Sequence, residues 1–109
     1  MQRTNTDILI SGGGVAGLAA AAAFGAAGFK VICADPTAPI TDAATEGADL
    51  RTTAFLQPAR QLLEETGLWP RLAPHAAALQ IMRIVDAGGA EPEVRLLKDF
   101  AASEISDDP

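Results

Sequence analysis

A cluster of glycines near the start of the chain has the spacing of a phosphate-binding turn. Gly12, Gly14 and Gly17 fit the pattern G-x-G-x-x-G, with Val15 and Ala16 inside it. The first glycine permits a tight turn, the second lets a pyrophosphate approach the backbone, and the third lets a helix pack closely on a strand. The N–H groups at the start of that helix attract phosphates. These residues are therefore predicted to hold the pyrophosphate of a dinucleotide.

An aspartate follows the glycine turn at the sequence spacing that is typical of ribose binding in dinucleotide-binding folds. Asp35 follows the apolar residues 30–34 and stands 18 residues beyond Gly17. A carboxylate there can accept hydrogen bonds from ribose hydroxyls, and it disfavours the 2′-phosphate of an NADP-type adenosine. The alternative is a purely structural turn in which Asp35 caps a strand, but the strand, spacing and acid together favour nucleotide binding. FAD and NAD share the ADP half, so these residues do not distinguish them.

The flanking sequence predicts the elements that position the turn. Residues 7–11 and 30–34 are short apolar runs typical of buried strands. The alanine-rich residues 18–27 contain no proline and favour a helix. Gly28 is expected to end that helix in the left-handed conformation. Residues 1–35 are thus predicted to form a parallel βαβ nucleotide-binding unit.

The rest of the chain is predicted to add a loop, a helical region, a hairpin and a tail. Pro58 is expected to begin a helix that Gly67 ends. Strands are expected at residues 79–86 and 94–98, joined by a glycine-containing turn. The predicted boundaries are 36–57 for the loop, 58–78 for the helical region, 79–100 for the β-hairpin and 101–109 for the acidic tail.

Composition and charge exclude several function classes. The 109 residues suffice for one small domain, and a hydrophobic content of 49% favours a packed core. The net charge of −6, without a basic cluster, argues against nucleic-acid binding. The single cysteine, Cys33, excludes an internal disulfide and is predicted to be buried. With no evident signal peptide, the chain is predicted to be cytoplasmic.

Other polar side chains carry no predicted chemistry. His75 is interpreted as a surface histidine, and Glu64 and Glu65 as the solvated face of a helix. Met82 and Ile84 are expected in the core. No metal-ligand spacing and no nucleophile elbow occur in the sequence. Neither a catalytic residue nor a metal site is therefore predicted.

Three further segments resemble one enzyme family. They are DLRTTAF at residues 49–55, the helix end ETGLW at 65–69, and the strand and turn IMRIVDAGG at 81–89. With the glycine turn, the chain resembles the FAD-dependent aromatic hydroxylases of the para-hydroxybenzoate hydroxylase fold over residues 7–89. Within that group it is most similar to the ubiquinone-biosynthesis hydroxylases. The segment around Arg51 together with ETGLW is the more specific part of this resemblance.

The resemblance implies a cofactor, a reaction and a role for each site residue. Gly12, Gly14 and Gly17 would hold the FAD pyrophosphate, Asp35 the adenosine ribose, and Arg51 would lie beside the flavin and its phosphates. Many relatives have glutamate in place of Asp35. The fold class implied is α/β, a Rossmann-like FAD-binding segment with an added helix and a hairpin. The implied reaction is hydroxylation of an aromatic substrate, a ubiquinone-precursor phenol, with NAD(P)H and O₂.

The family carries two later flavin-contacting motifs that do not occur in these residues. The chain is therefore expected to be the N-terminal part of a larger flavoprotein, inactive by itself. Exposed apolar edges are expected to favour self-association, which a clean monomer in sedimentation would contradict. A lipid-like substrate would imply peripheral membrane contact in the parent enzyme. The alternatives are a stand-alone adenine-nucleotide-binding module and a fragment of an NAD-dependent dehydrogenase.

Overall fold

The computed structural model describes residues 1–105 and divides into two compact units. Met1–Pro74 forms the first unit, and the second begins at His75. The predicted tail residues 106–109 lie outside the described part of the chain. The strands and helices of the first unit are β1 (Ile8–Ser11), α1 (Val15–Ala26), β2 (Val31–Ala34), α2 (Gln57–Glu65) and α3 (Trp69–Leu72). The second unit contains β3 (Ile81–Asp86) and β4 (Leu96–Ala101), and short 3₁₀ turns lie at Ala73–His75 and Ala102–Glu104.

The first unit is built on a parallel strand pair joined by a helix, as predicted. In the register of the pair, Ile8 lies opposite Val31 and Ser11 opposite Ala34. The Gly12 N–H extends the ladder by donating to the Ala34 carbonyl at 2.7 Å. Helix α1 packs against both strands. The predicted α/β class, with a Rossmann-like βαβ segment, is confirmed.

Helix α1 begins three residues earlier than the sequence predicts. It starts at Val15 rather than Leu18, with Gly14 extended at the N-cap and the Leu18 N–H donating to the Gly14 carbonyl at 2.9 Å. The prediction was wrong because the last part of the glycine pattern belongs to the helix itself. Helix α2 likewise begins one residue before Pro58, which occupies its second position.

Both long helices end in the same glycine motif, which confirms the two predicted helix ends. Gly28 and Gly67 have φ of 95° and 78°, the left-handed region that glycine accepts without steric cost. The Phe29 N–H donates to the Phe24 carbonyl at 3.1 Å, and the Leu68 N–H to the Leu63 carbonyl at 2.9 Å. These are the backbone bonds of a Schellman motif. In α1 the motif is reinforced by edge-to-face contact of the Phe24 and Phe29 rings.

The second unit is an antiparallel hairpin whose second strand lies further along the chain than predicted. β4 covers Leu96–Ala101 rather than residues 94–98, and Arg83 pairs with Asp99 in the register. The Asp86 carboxylate accepts the Gly88 N–H at 3.0 Å, and the Asp86 carbonyl accepts the Arg95 N–H at 2.7 Å. These bonds close a wider loop than a two-residue turn and move the pairing toward the C-terminus.

The side chains expected in the core of the hairpin are exposed. Met82 and Ile84 are each 48% exposed, and every residue of β3 is exposed. The prediction was wrong because, in the described residues, this unit contains no helix longer than one 3₁₀ turn to cover either face of the sheet. Apolar periodicity identifies the strand but does not supply the layer that would bury it.

Burial in the first unit is concentrated on α2 and on the inner faces of the βαβ segment. Leu63 on α2 is only 6% exposed. Cys33 is half-buried, not buried as predicted, because the face of β2 that carries it borders an open cleft. Its thiol contacts the Gly12 carbonyl oxygen at 3.3 Å. Among the described residues, no helix has both the length and the apolar character needed to cross a membrane.

Candidate nucleotide-binding site

The glycine turn between β1 and α1 has the geometry that its sequence pattern predicts. Gly12 has φ of 113°, a conformation that side chains rarely adopt. A Cβ atom on Gly17 would collide with the Gly12 carbonyl and would contact Ile10. A Cβ atom on Gly14 would meet no atom within 4 Å. Two glycines therefore shape the turn and seat the helix on it, while Gly14 leaves open space in front of the backbone.

The N-terminus of α1 is available to an anion. Its N-cap is Gly14, which offers no side-chain cap, and no acidic residue lies in the first turn. The N–H groups of Val15, Ala16 and Gly17 belong to that first turn and have no acceptor within the helix. The helix dipole adds partial positive charge at the same point. This end of the helix can accept a phosphate without displacing a protein side chain.

The Asp35 carboxylate links the glycine turn to the loop after β2. One oxygen accepts the Gly13 N–H at 2.8 Å, and the other accepts the Thr37 N–H at 2.8 Å. The bond from Gly13, followed by that from Thr37, lowers the pKa of Asp35, so the group is ionised at neutral pH. Each carboxylate oxygen can accept more than one hydrogen bond. Asp35 can therefore receive a ribose hydroxyl while it holds the turn.

A cleft of about 540 Å³ opens beside these groups. Gly13, Gly14 and Asp35 line one side of it, and Leu18, Pro39 and Ile40 contribute apolar surface. This volume lies within the range of about 300–1,000 Å³ that is usual for small-molecule sites. The combination of a bare phosphate-binding backbone, a ribose acceptor and apolar walls fits the adenosine diphosphate half of a dinucleotide.

The structure does not bring Arg51 into the lining of the cleft. Its guanidinium pairs with Asp49, donating from Nε to Oδ1 at 2.9 Å and from Nη2 to Oδ2 at 2.7 Å. The hydrogen bonds from Arg51 lower the pKa of Asp49 to about 2. Asp49 lines the cleft, whereas Arg51 has a side chain that is 87% exposed. Contact of Arg51 with flavin or phosphate remains a prediction.

Three residues near the cleft were missed by the sequence analysis. Gly13 donates its N–H to one Asp35 oxygen, Thr37 donates its N–H to the other, and the Asp49 carboxylate accepts the hydrogen bonds of the Arg51 guanidinium. A signal was available for two of these contacts, because an aspartate often accepts the N–H two residues later. Asp35 and Thr37 have that spacing, as do Asp49 and Arg51. The contact with Gly13 had no local signal.

The side chains for which the sequence analysis predicted no chemistry include three exposed titratable groups. His75 is exposed in the 3₁₀ turn Ala73–His75. Glu64 and Glu65 are exposed on α2, where Glu64 pairs with Arg60 at 3.1 Å. Within residues 1–105, no three histidine, cysteine or acidic side chains converge as metal ligands.

Comparison with known proteins identifies the family. The family model described as FAD binding domain matches residues 7–82, which is more than half of the chain. No curated protein and no solved structure gives a significant match. The matched region contains the glycine turn, Asp35, the cleft and the Arg51 segment. This chain therefore belongs to the FAD binding domain family, and it is an FAD-binding domain of an oxidoreductase.

Proposed function

We propose that this domain serves a flavin-dependent monooxygenase that hydroxylates an aromatic ring with NAD(P)H and O₂. The observation that carries the proposal is the presence of two signals in one chain. One is the glycine turn, with its open Gly14 and uncapped helix N-terminus. The other is the segment DLRTTAF, whose aspartate lines the cleft beside that turn. Its resemblance to the aromatic hydroxylases favours oxygen transfer over other flavin reactions.

In this proposal the residues of the chain bind and orient the cofactor. Gly12, Gly14 and Gly17 shape the turn, and the N–H groups of Val15 and Ala16 would hold the pyrophosphate. Asp35 would accept a hydroxyl of the adenosine ribose. Arg51 would reach the phosphates from outside the cleft. FAD, when bound, supplies the exchange of electrons with NAD(P)H and O₂, and the protein controls its position.

The substrate proposed is a phenol of the ubiquinone-precursor type. Support comes from the segments DLRTTAF and ETGLW, which resemble the ubiquinone-biosynthesis members of the hydroxylases. The cleft that the described residues form is assigned to the cofactor in this proposal, so the choice of phenol is assigned to residues outside that cleft.

Isotope transfer tests this function. The polypeptide, expressed at its natural length and loaded with FAD, is supplied with NADH or NADPH, a prenylated phenol and ¹⁸O₂. We expect oxidation of the nicotinamide to accelerate with the phenol and one ¹⁸O atom to appear in the product. Nicotinamide oxidation that yields a product without ¹⁸O would contradict the proposal and favour a dehydrogenase.

A further inference from the structure

The strongest unexplained feature beside the cleft is the ion pair between Asp49 and Arg51. Both oxygens of Asp49 are used by the guanidinium, and Oδ1 also accepts the Arg51 backbone N–H at 3.1 Å. The pair is short and bidentate, a geometry in which arginine binds either carboxylate or phosphate. The Arg51 guanidinium is therefore held by a carboxylate, an anion that resembles the phosphate it is proposed to bind.

The position of the pair relative to the cleft is unfavourable for an anion. Asp35 and Asp49 are the charged side chains that line the cleft, and both are acidic. The guanidinium that neutralises Asp49 is outside the lining. In the lining of the cleft, a diphosphate would thus meet two carboxylates and no guanidinium. As long as the pair is intact, the positive charge of Arg51 is directed toward Asp49.

The pair can open at little cost. The two side chains are 87% and 61% exposed, and such surface pairs contribute weakly because water and salt screen them. A diphosphate carries more negative charge than one carboxylate and offers the same bidentate geometry. It can therefore compete with Asp49 for the guanidinium.

We propose that the Asp49–Arg51 pair is a charge switch at the cofactor cleft, closed by the carboxylate and opened by the phosphates of the nucleotide. Arg51 exchanges Asp49 for phosphate when the nucleotide enters, and Asp49 lowers the affinity by competing for it. This inference rests on the proposed placement of FAD in the cleft. It assigns Asp49 a role that opposes cofactor binding.

A double-mutant cycle tests the switch. Asp49→Asn, Arg51→Gln and the double variant are compared with the unmodified chain by titration of FAD fluorescence and by competition with ADP and with adenosine. We expect Asp49→Asn to bind FAD and ADP about two- to fivefold more tightly. When Arg51→Gln is already present, adding Asp49→Asn should not tighten binding further. Asp49→Asn should not change the affinity for adenosine, which has no phosphate, and high salt should reduce the gain for FAD and ADP.

Asp42→Asn is the matched control. It removes one negative charge from the same loop at an exposed residue whose carboxylate accepts only a local backbone N–H, from Ala44 at 2.9 Å. Its affinity for FAD should equal that of the unmodified chain. An equal gain in this variant would show a general charge effect and overturn the switch.

Other outcomes overturn the proposal in distinct ways. Tighter binding by Asp49→Asn that persists with Arg51→Gln would mean that Asp49 only repels the anion. Weaker binding by Asp49→Asn would mean that Asp49 holds Arg51 in position for the phosphate. Equal FAD affinity in all variants would overturn the switch and leave the proposed function standing. Failure of every variant to bind FAD or ADP would overturn both the switch and the placement of the cofactor.

Discussion

The β1–α1–β2 segment and the β3–β4 hairpin each pair two short strands, but different interactions hold them. In the first, a helix covers one face of the strands, and its first turn touches the glycine backbone at the Gly17–Gly12 contact. In the second, the strands are joined by their ladder and by a bidentate pair of Arg83 with Asp99 at 2.7 and 2.8 Å. Beyond the backbone ladder that both share, the first region depends on close approach of helix and turn, and the second on an exposed ion pair.

This difference bears on cofactor binding, because the candidate nucleotide-binding site lies in the β1–α1–β2 segment. The close backbone contact at Gly17 tolerates no added atom, so it fixes the position of the N–H groups at the start of α1. Exposed pairs adjust at little cost and fix nothing so closely. We therefore expect substitutions in the first region to affect cofactor binding strongly, and those in the hairpin to affect only local stability.

The largest effect is expected from a single methyl group on the first region. Gly17→Ala places a Cβ atom against the Gly12 carbonyl, so the helix must move away from the turn. We expect a loss of about 1–3 kcal/mol in the free energy of unfolding and at least about tenfold weaker FAD binding, equivalent to about 1.4 kcal/mol. Urea denaturation and FAD titration measure the two quantities.

Gly25→Ala is the control for this change, because it lies on the same helix and its Cβ atom would meet nothing within 4 Å. Alanine is the better helix former, so this variant should be about 0.5–1 kcal/mol more stable and should bind FAD normally. Equal behaviour of the two variants would refute the close contact at Gly17.

A smaller effect is expected from acid. The folded pKa of Asp49 falls from 3.8 to about 2 through its bonds with Arg51. A carboxylate whose pKa is lower in the folded state than in the unfolded state stabilises the fold at pH values above its unfolded pKa. This stabilisation is lost as the pH falls through the pKa of the folded state. The unmodified chain should therefore lose stability relative to Asp49→Asn between about pH 4 and pH 2. Urea midpoints across this range would test it; parallel curves for the two proteins would contradict it.

The smallest effect is expected in the hairpin. Arg83→Ala removes the pair with Asp99, whose side chains are 58% and 38% exposed. Amide hydrogen exchange in β3 and β4 should accelerate by less than about fivefold, and FAD affinity should not change. Exchanging the two residues, as Arg83→Asp with Asp99→Arg, should restore the slower exchange. A large loss of FAD affinity in Arg83→Ala would contradict the proposed separation of the two regions.

Predictions from the sequence were confirmed where a residue type is strongly tied to one backbone conformation. Gly28 and Gly67 predicted both helix ends because few other residues accept a positive φ. The order of strand, turn, helix and parallel strand followed from local patterns and the glycine spacing. These features depend on neighbours in sequence.

The sequence-based predictions failed where burial or a contact depends on residues distant in sequence, or where a nearby side chain competes for the same group. Met82 and Ile84 have a strand pattern, but burial requires a covering layer that the pattern does not specify. The pairing of Arg51 with the carboxylate two residues earlier was also missed, while contact of Arg51 with phosphate stays a prediction. The Gly13 contact with Asp35 joins residues 22 apart, which no local rule predicts.

The two bonds of Asp35 have a consequence for the entropy of binding. They fasten the glycine turn and the start of the following loop before any nucleotide arrives. A preorganised site loses less conformational freedom when its ligand binds, so more of the interaction energy appears as affinity. They also occupy the Gly13 N–H. With the cofactor placed as proposed, Asp35 would thus direct the phosphates to the N–H groups that follow Gly13.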